Sequence, residues 1–241
     1  MDQCAWRLLP TKRLMTLRAT QRTLRCKEAS VSHVAKLADL ARELFSENEW
    51  QTLHRIATST PLNVPALTAF DDWIPGPSVS RIADNRPHAP GTLGIPRHGI
   101  TRCEVEDRDI FKPLHYCMVD FLSGEIEQIE WRTRDIIEHS GAHLEGVLKR
   151  IGHVAFLPFG DALLRRLKPE IDNVTWDQLR RFKSIHNDAK HRYDHALGTH
   201  LFSVQEAVVA YLIARRLGWK LYPLAKLKTN WHFDQEMPLG H

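Results

Sequence analysis

The chain has 241 residues, 43% of them hydrophobic, and its 33 basic and 29 acidic residues give a formal net charge of +4 at pH 7. This composition is typical of a globular protein with one or two domains, and it excludes collagen-like, low-complexity and fully disordered chains. The longest apolar-leaning run, Val204 to Ala214, contains Gln205 and Glu206 and is much shorter than the roughly 20 residues of a membrane span, so we expect a soluble protein with no membrane partner.

The N-terminal segment 1–30 is predicted to form a basic arm. Before position 28 it has seven arginine and lysine residues and one acidic residue, Asp2. Such a segment is consistent with a solvated terminus, a transit peptide or an arm that contacts phosphate. It lacks the continuous apolar core of a secretory signal. The four cysteines lie far apart in sequence with no C-x-x-C pair, which argues against a disulfide framework and a thiolate zinc site. We therefore expect a cytoplasmic location.

Two short helices are predicted for the segment 31–58. Its apolar residues recur at three- and four-residue steps, first behind Ser30 or Ser32 as the cap and again after a short break. These residues are Val34, Leu37, Leu40, Ala41, Leu44 and Phe45, followed by Trp50, Leu53 and Ile56.

The segment 59–104 is predicted to be an irregular connection. Seven of the 13 prolines and four glycines fall between Pro61 and Gly99. Because proline removes a backbone donor and restricts the residue before it, we expect neither a helix nor a central strand in this stretch.

The second half of the chain has the patterns of a helical bundle. An apolar stripe predicts a long helix from Gly124 to Gly152, and a short helix is expected from Asp161 to Leu167. No alternating strand pattern is present. We therefore predict an all-α protein whose four- to five-helix bundle covers residues 105–222, followed by a tail at 223–241.

Two capping-box spacings predict the starts of the last two helices. They are Thr175-Trp-Asp-Gln178 and Ser203-Val-Gln-Glu206. The helix after the second box, from Val204 to Leu217, is apolar nearly all round, which is typical of a buried helix. Gly218 is expected to end it.

Two pairs among the 14 histidines are spaced as metal ligands on one helix face. His139 and His143 lie one turn apart on the predicted long helix, and His191 and His195 repeat this spacing. Gly141 is expected to loosen the helix between the first two, and no H-E-x-x-H order is present. The same face carries three further polar residues, Arg132, Asp135 and Arg150. A histidine-rich metal site is thus an alternative hypothesis, and we assign no metal ligand and no cofactor.

The segment Arg-Arg-Phe-Lys-Ser-Ile-His-Asn-Asp-Ala-Lys-His, which ends at His191, carries the most specific pattern. Within it, Arg181 and His186 form an Arg-x4-His pair, and Arg180 with the same histidine forms Arg-x5-His. This pattern near the start of a capped bundle helix resembles the HEPN family (higher eukaryote and prokaryote nucleotide-binding domain), whose signature is an arginine, four to six residues and a histidine. Phe182 departs from the polar residue that often follows the arginine of the family, so both arginines are candidates.

The resemblance covers roughly residues 120–222 and implies a metal-independent endoribonuclease of the toxin–antitoxin or antiviral-defence kind. His186 is expected to act as base or acid on the ribose 2′-OH and the leaving 5′-oxygen, and Arg181 or Arg180 to hold the phosphate. Further residues are expected to contact RNA or support the site: Asn187, Lys190, His191 and Lys183. The implied active unit is a homodimer with two facing motifs, and a neutralising protein partner is compatible with this class.

The alternative to catalysis is a non-catalytic HEPN-like nucleotide-binding or interaction module. On an ideal helix, positions five apart point about 140° away from each other, so Arg181 and His186 converge only through the length of arginine, a distortion or a second subunit. His186 also borders the apolar stripe, which is the position of a hydrogen-bonded core histidine. Other chemistries have no support, because Walker A, dinucleotide-binding and serine-hydrolase motifs are missing from the sequence.

Overall fold

The computed structural model describes residues 33–74, 107–123, 126–154, 157–191 and 202–227. These residues form eight α-helices and no β-strand, which confirms the predicted all-α class for this part of the chain. The helices are α1 (33–44), α2 (Glu47–Ala57), α3 (Val64–Trp73), α4 (Asp107–Leu122), α5 (Ile126–Gly152), α6 (Asp161–Leu167), α7 (Asn173–His191) and α8 (Val204–Leu227). None of them is both long and apolar enough to cross a bilayer. The predicted basic arm, most of the predicted connection, the end of the tail and His195 lie outside the described residues.

The longest helix, α5, lies at the centre of the bundle. It packs against α4, α6, α7 and α8, while α2 packs against both α3 and α8. Its buried face is the predicted apolar stripe, with no exposed surface at Ile136, Ile137, Leu144, Val147, Leu148 and Ile151. Each such side chain contributes about 1.5–3 kcal/mol through removal of apolar surface from water. The predicted long helix is confirmed.

One hydrophobic core joins the N-terminal helices to the bundle. It extends from Leu37 in α1 to Ala225 in α8. The residues from Ala207 to Ala214 are all buried, which confirms that the all-round apolar helix α8 is internal. The short helices α1 and α2, both predicted, therefore belong to the same packed body as the bundle.

The helix α3 lies inside the stretch expected to contain no helix, so that expectation is wrong for residues Val64–Trp73. Pro65 falls in the first turn, where its missing N–H has no intrahelical partner to lose. Oδ1 of Asn63 accepts a hydrogen bond from the backbone N of Ala66 at 3.0 Å and caps the helix. The high proline content of this stretch therefore led to the wrong prediction, because a proline in the first turn is compatible with a helix.

One of the two predicted capping boxes is correct. Oγ of Ser203 accepts from the backbone N of Glu206 at 3.2 Å, and the carboxylate of Glu206 accepts from the backbone N of Ser203 at 2.6 Å. The other helix, α7, begins earlier than predicted. Asp172 is its cap, because its carboxylate accepts from the backbone N of Thr175 at 2.8 Å. Thr175 therefore lies inside the first turn.

Gly218 does not end α8, which continues to Leu227 and beyond the predicted bundle boundary at 222. The glycine makes room instead: a Cβ atom added there would lie 1.9 Å from Nε2 of His143. Gly141 has the same role on α5, where an added Cβ would lie 2.0 Å from Nδ1 of His186. Two histidine rings thus lie over glycines of neighbouring helices, and α5 runs unbroken through Gly141.

Candidate functional site

Arg181, the predicted phosphate clamp, faces α1 and contacts Glu43. Nη1 donates to Oε1 of Glu43 at 2.8 Å and Nη2 donates to Oε2, which makes a bidentate ion pair. Nε2 of Gln178 donates to the same carboxylate at 3.3 Å, and Nε of Arg181 lies 3.0 Å from the carboxylate of Asp177. The hydrogen bond from Arg181 lowers the pKa of Glu43 and so favours its ionised form.

His186, the predicted catalytic histidine, points toward α5 and is 5% exposed. Its ring lies 5.6 Å from the ring of Phe159, centroid to centroid. Nδ1 has no hydrogen-bond partner among the described residues. Burial lowers the pKa of His186 to about 4, although the nearby Glu145 opposes this shift. The histidine is therefore neutral near pH 7.

The structure does not bring these two residues together within one chain. Arg181 contacts α1, whereas His186 contacts α5 on another side of α7. This is the outcome expected of an undistorted helix with positions five apart. A single phosphate cannot contact both groups in this arrangement.

The second candidate arginine, Arg180, belongs to a basic surface around Trp176. Nζ of Lys168 lies 5.0 Å and Cζ of Arg180 lies 5.7 Å from the centre of the indole ring. The indole N–H donates to the carbonyl of Leu164 at 3.0 Å, which fixes the ring. Two more exposed arginines, Arg165 and Arg166, lie on the preceding helix, α6. We call this set the α6–α7 basic surface: Arg165, Arg166, Lys168, Trp176 and Arg180.

The other predicted RNA contacts are divided between buried and exposed positions. The side chain of Lys183 is 12% exposed and pairs with Asp161. Asn187 is half-buried, whereas Lys190 and His191 are exposed at the end of α7. Arg134 of α5 holds this end, because its guanidinium donates to the carbonyl of Lys190 at 3.2 Å.

The two histidines of the first predicted metal-ligand pair have separate surroundings. His143 is fully buried, and its Nδ1 lies 2.7 Å from the carbonyl oxygen of Ile110. Burial lowers the pKa of His143 to about 3. His139 packs against Tyr116, with ring centroids 5.6 Å apart. Among the described residues, no three His, Cys, Asp or Glu side chains form a group that could hold a metal ion.

The residues that α1 presents to α7 were not predicted from the sequence. Glu43 contacts Arg181 across 138 positions of sequence, and Nε2 of His33 lies 2.8 Å from Oδ2 of Asp188 across 155. The ring of His33 also stacks on Phe202 at 5.1 Å. His33 and Glu43 are as many residues apart in α1 as their partners, Asp188 and Gln178, are in α7, but the partners come in the reverse order along the chain. Helix α1 therefore lies antiparallel along α7. Neither pair has a local sequence pattern that would have indicated it.

Comparison of the chain with protein-family models, with curated proteins and with solved structures found no significant match.

Proposed function

We propose that this chain is an RNA-binding helical module that contacts phosphate groups through the α6–α7 basic surface. The observation that carries the proposal is the pair of cations, on Lys168 and Arg180, held over the fixed indole of Trp176. Arg165 and Arg166 are two further exposed cations on α6. Clustered lysine and arginine side chains near an aromatic ring are typical of surfaces that bind the backbone of single-stranded nucleic acids.

The proposal does not assign catalysis to the Arg-x4-His pair within one chain. Arg181 is engaged by Glu43, and His186 is buried over Gly141. A histidine whose pKa is lowered to about 4 carries almost no proton to donate at neutral pH. This favours the non-catalytic alternative that the sequence left open.

The test is a titration of fluorescent single-stranded RNA at several salt concentrations. We expect Lys168→Gln/Arg180→Gln to weaken binding about tenfold or more and to reduce the salt dependence by about two released counterions, because two phosphate contacts are lost. The matched control is Lys36→Gln/Arg55→Gln, which removes two exposed charges from α1 and α2. Equal effects of the two double variants, or no binding by the wild-type protein, would refute the proposal.

A second proposal is the metal-independent endoribonuclease implied by the HEPN resemblance. One observation favours it: Nδ1 of His186 has no partner among the described residues, so none of these residues occupies the nitrogen that would accept a proton. Since one chain does not join Arg181 to His186, this activity requires a homodimer or a rearranged α7. Wild-type protein and His186→Gln would be incubated with total RNA in EDTA. Cleavage by the wild type alone, with 2′,3′-cyclic phosphate ends, supports the enzyme; intact RNA refutes it.

A further inference from the structure

Two donors on α7 surround the carboxylate of Glu43 as they would surround an oxyanion ligand. Arg181 contacts both carboxylate oxygens, and Nε2 of Gln178 lies 3.3 Å from Oε2. Gln178 is 2% exposed, so its amide is fixed by burial. A guanidinium binds carboxylate and phosphate in the same bidentate geometry. The carboxylate of Glu43 therefore occupies the position that two phosphate oxygens would take.

We propose that Arg181 and Gln178 form a phosphodiester-binding site that Glu43 closes by occupying it. The inference rests on the proposed RNA-binding function, because its ligand is the nucleic acid backbone. It adds a second contact for that backbone and an internal carboxylate that competes with it.

The site opens by rotation of one side chain. Glu43 lies in the last turn of α1, and its side chain is 42% exposed. The helix itself is held by buried Leu37 and Leu40 and, at its other end, by the contact of His33 with Asp188. Glu43 can therefore turn into water while α1 stays in place. An incoming phosphodiester then replaces one negative charge with another.

The surrounding charges select a monoanion. Besides Glu43, two carboxylates act on Arg181: Asp177, at 3.0 Å from Nε, and Asp39 on α1. A dianionic terminal phosphate would face both of them and gain only one guanidinium. A phosphodiester, with a single charge spread over two oxygens, matches the carboxylate that it displaces.

The experiment compares two single substitutions on α1. Glu43→Ala removes the carboxylate that occupies the guanidinium, whereas Asp39→Ala removes an exposed carboxylate that acts on Arg181 without a hydrogen bond to it. The probe is a single-stranded uridine octanucleotide without terminal phosphates. We expect Glu43→Ala to tighten binding about tenfold, as loss of a competing bidentate partner implies, and Asp39→Ala by less than about twofold.

The gain must depend on Arg181. Glu43→Ala/Arg181→Gln is expected to return to the wild-type affinity, and inorganic phosphate is expected to compete poorly with the octanucleotide. Should Glu43→Ala fail to fold in thermal unfolding, Glu43→Gln provides the same comparison with a smaller gain. Equal gains in the Glu43 and Asp39 variants, or a gain that survives loss of Arg181, would overturn the inference.

Failure of the proposed function gives a different pattern. If Lys168→Gln/Arg180→Gln binds like the wild type while Glu43→Ala still binds more tightly, the α6–α7 basic surface is refuted and the Arg181 site stands. If the Lys168 and Arg180 variant loses binding while Glu43→Ala gains nothing, the surface stands and the Arg181 site is refuted.

Discussion

The ring of His186 fits over α5 at a position that has no side chain. Replacement of Gly141 by alanine would place a Cβ atom 2.0 Å from Nδ1 of His186, where the ring cannot retreat because Phe159 packs beside it. We predict that Gly141→Ala lowers the free energy of unfolding by about 1–3 kcal/mol, through overpacking that exceeds the gain in helix propensity. Urea denaturation measures this change.

Gly146 provides the control on the same helix. A Cβ atom there would meet the Cα of Ile110 at 3.5 Å, an ordinary contact. Gly146→Ala should therefore leave stability unchanged or raise it by up to about 1 kcal/mol. In Gly141→Ala/His186→Ala the overlap is relieved, so the loss in free energy of unfolding should be smaller than the sum of the two single losses. A loss larger than that sum would contradict the explanation.

The buried neutral state of His186 makes stability depend on pH. Its pKa is lowered from 6.5 to about 4 by burial, so below pH 6.5 the unfolded chain binds the proton more readily than the folded chain. The free energy of unfolding should therefore fall as pH decreases from about 6.5 to 4. At about 1.4 kcal/mol per pH unit, the contribution of this group is on the order of 3 kcal/mol.

Substitution of His186 isolates this contribution. His186→Gln keeps a polar side chain at this position but does not titrate, so its stability should vary less between pH 6.5 and 4 than that of the wild type. His191→Gln, at an exposed position on the same helix, should follow the wild-type curve. Chemical denaturation across this pH range provides the measurement, and identical slopes for His186→Gln and wild type would show that burial of neutral His186 does not cause the pH dependence.

Helices were predictable where the signal is local. Apolar periodicity located α1, α2 and α5, and the short helix α6 has the predicted bounds. The errors at Pro65 and Gly218 have one cause: each residue discourages a helix by itself, and its position decides the outcome. Pro65 lies in a first turn, where no N–H is needed, and Gly218 lies beneath His143, a contact 75 residues away in sequence. No local pattern carries that second contact.

The capping box of α8 is the element whose prediction can be tested most directly. Ser203 is predicted to contribute about 1 kcal/mol, because its hydroxyl satisfies a backbone N–H that the helix leaves without a partner. Ser203→Ala should lower the free energy of unfolding by that amount, as measured by urea denaturation. Ser184→Ala, at an exposed position within α7, is the control and should change stability by less than about 0.5 kcal/mol. Equal costs would show that the cap does not stabilise α8.

At the scale of the whole molecule, the candidate site was less predictable than the fold. The pattern around Arg181 and His186 identified a distinctive helix, but it contained no information on which element each side chain meets. Those partners, Glu43 and Gly141, come from α1 and α5. The packing of segments that are distant in sequence therefore decides whether Arg181 and His186 act together. A pattern within one helix carries no information on that packing.

The N-terminal helices and the bundle also share a buried charged group. Asp71 of α3 accepts from the hydroxyl of Tyr211 at 2.8 Å and from Nε of Arg215 at 3.2 Å, both on α8. Asp71 and Arg215 are fully buried. Burial raises the pKa of Asp71, while Arg215 and Tyr211 oppose the shift. This network connects a helix that the sequence placed in a loop to the most buried helix of the bundle.

We predict that Asp71→Ala costs about 3–5 kcal/mol, because it leaves the buried guanidinium of Arg215 without the carboxylate that it contacts. Asp72→Ala, at the neighbouring exposed position, should cost less than about 0.5 kcal/mol. In Asp71→Ala/Arg215→Met the unpaired charge is absent, so the double variant should be more stable than the sum of the single changes. Urea denaturation of the wild type, Asp71→Ala, Arg215→Met and the double variant gives the coupling free energy. Additive costs would show that Asp71 and Arg215 do not stabilise each other.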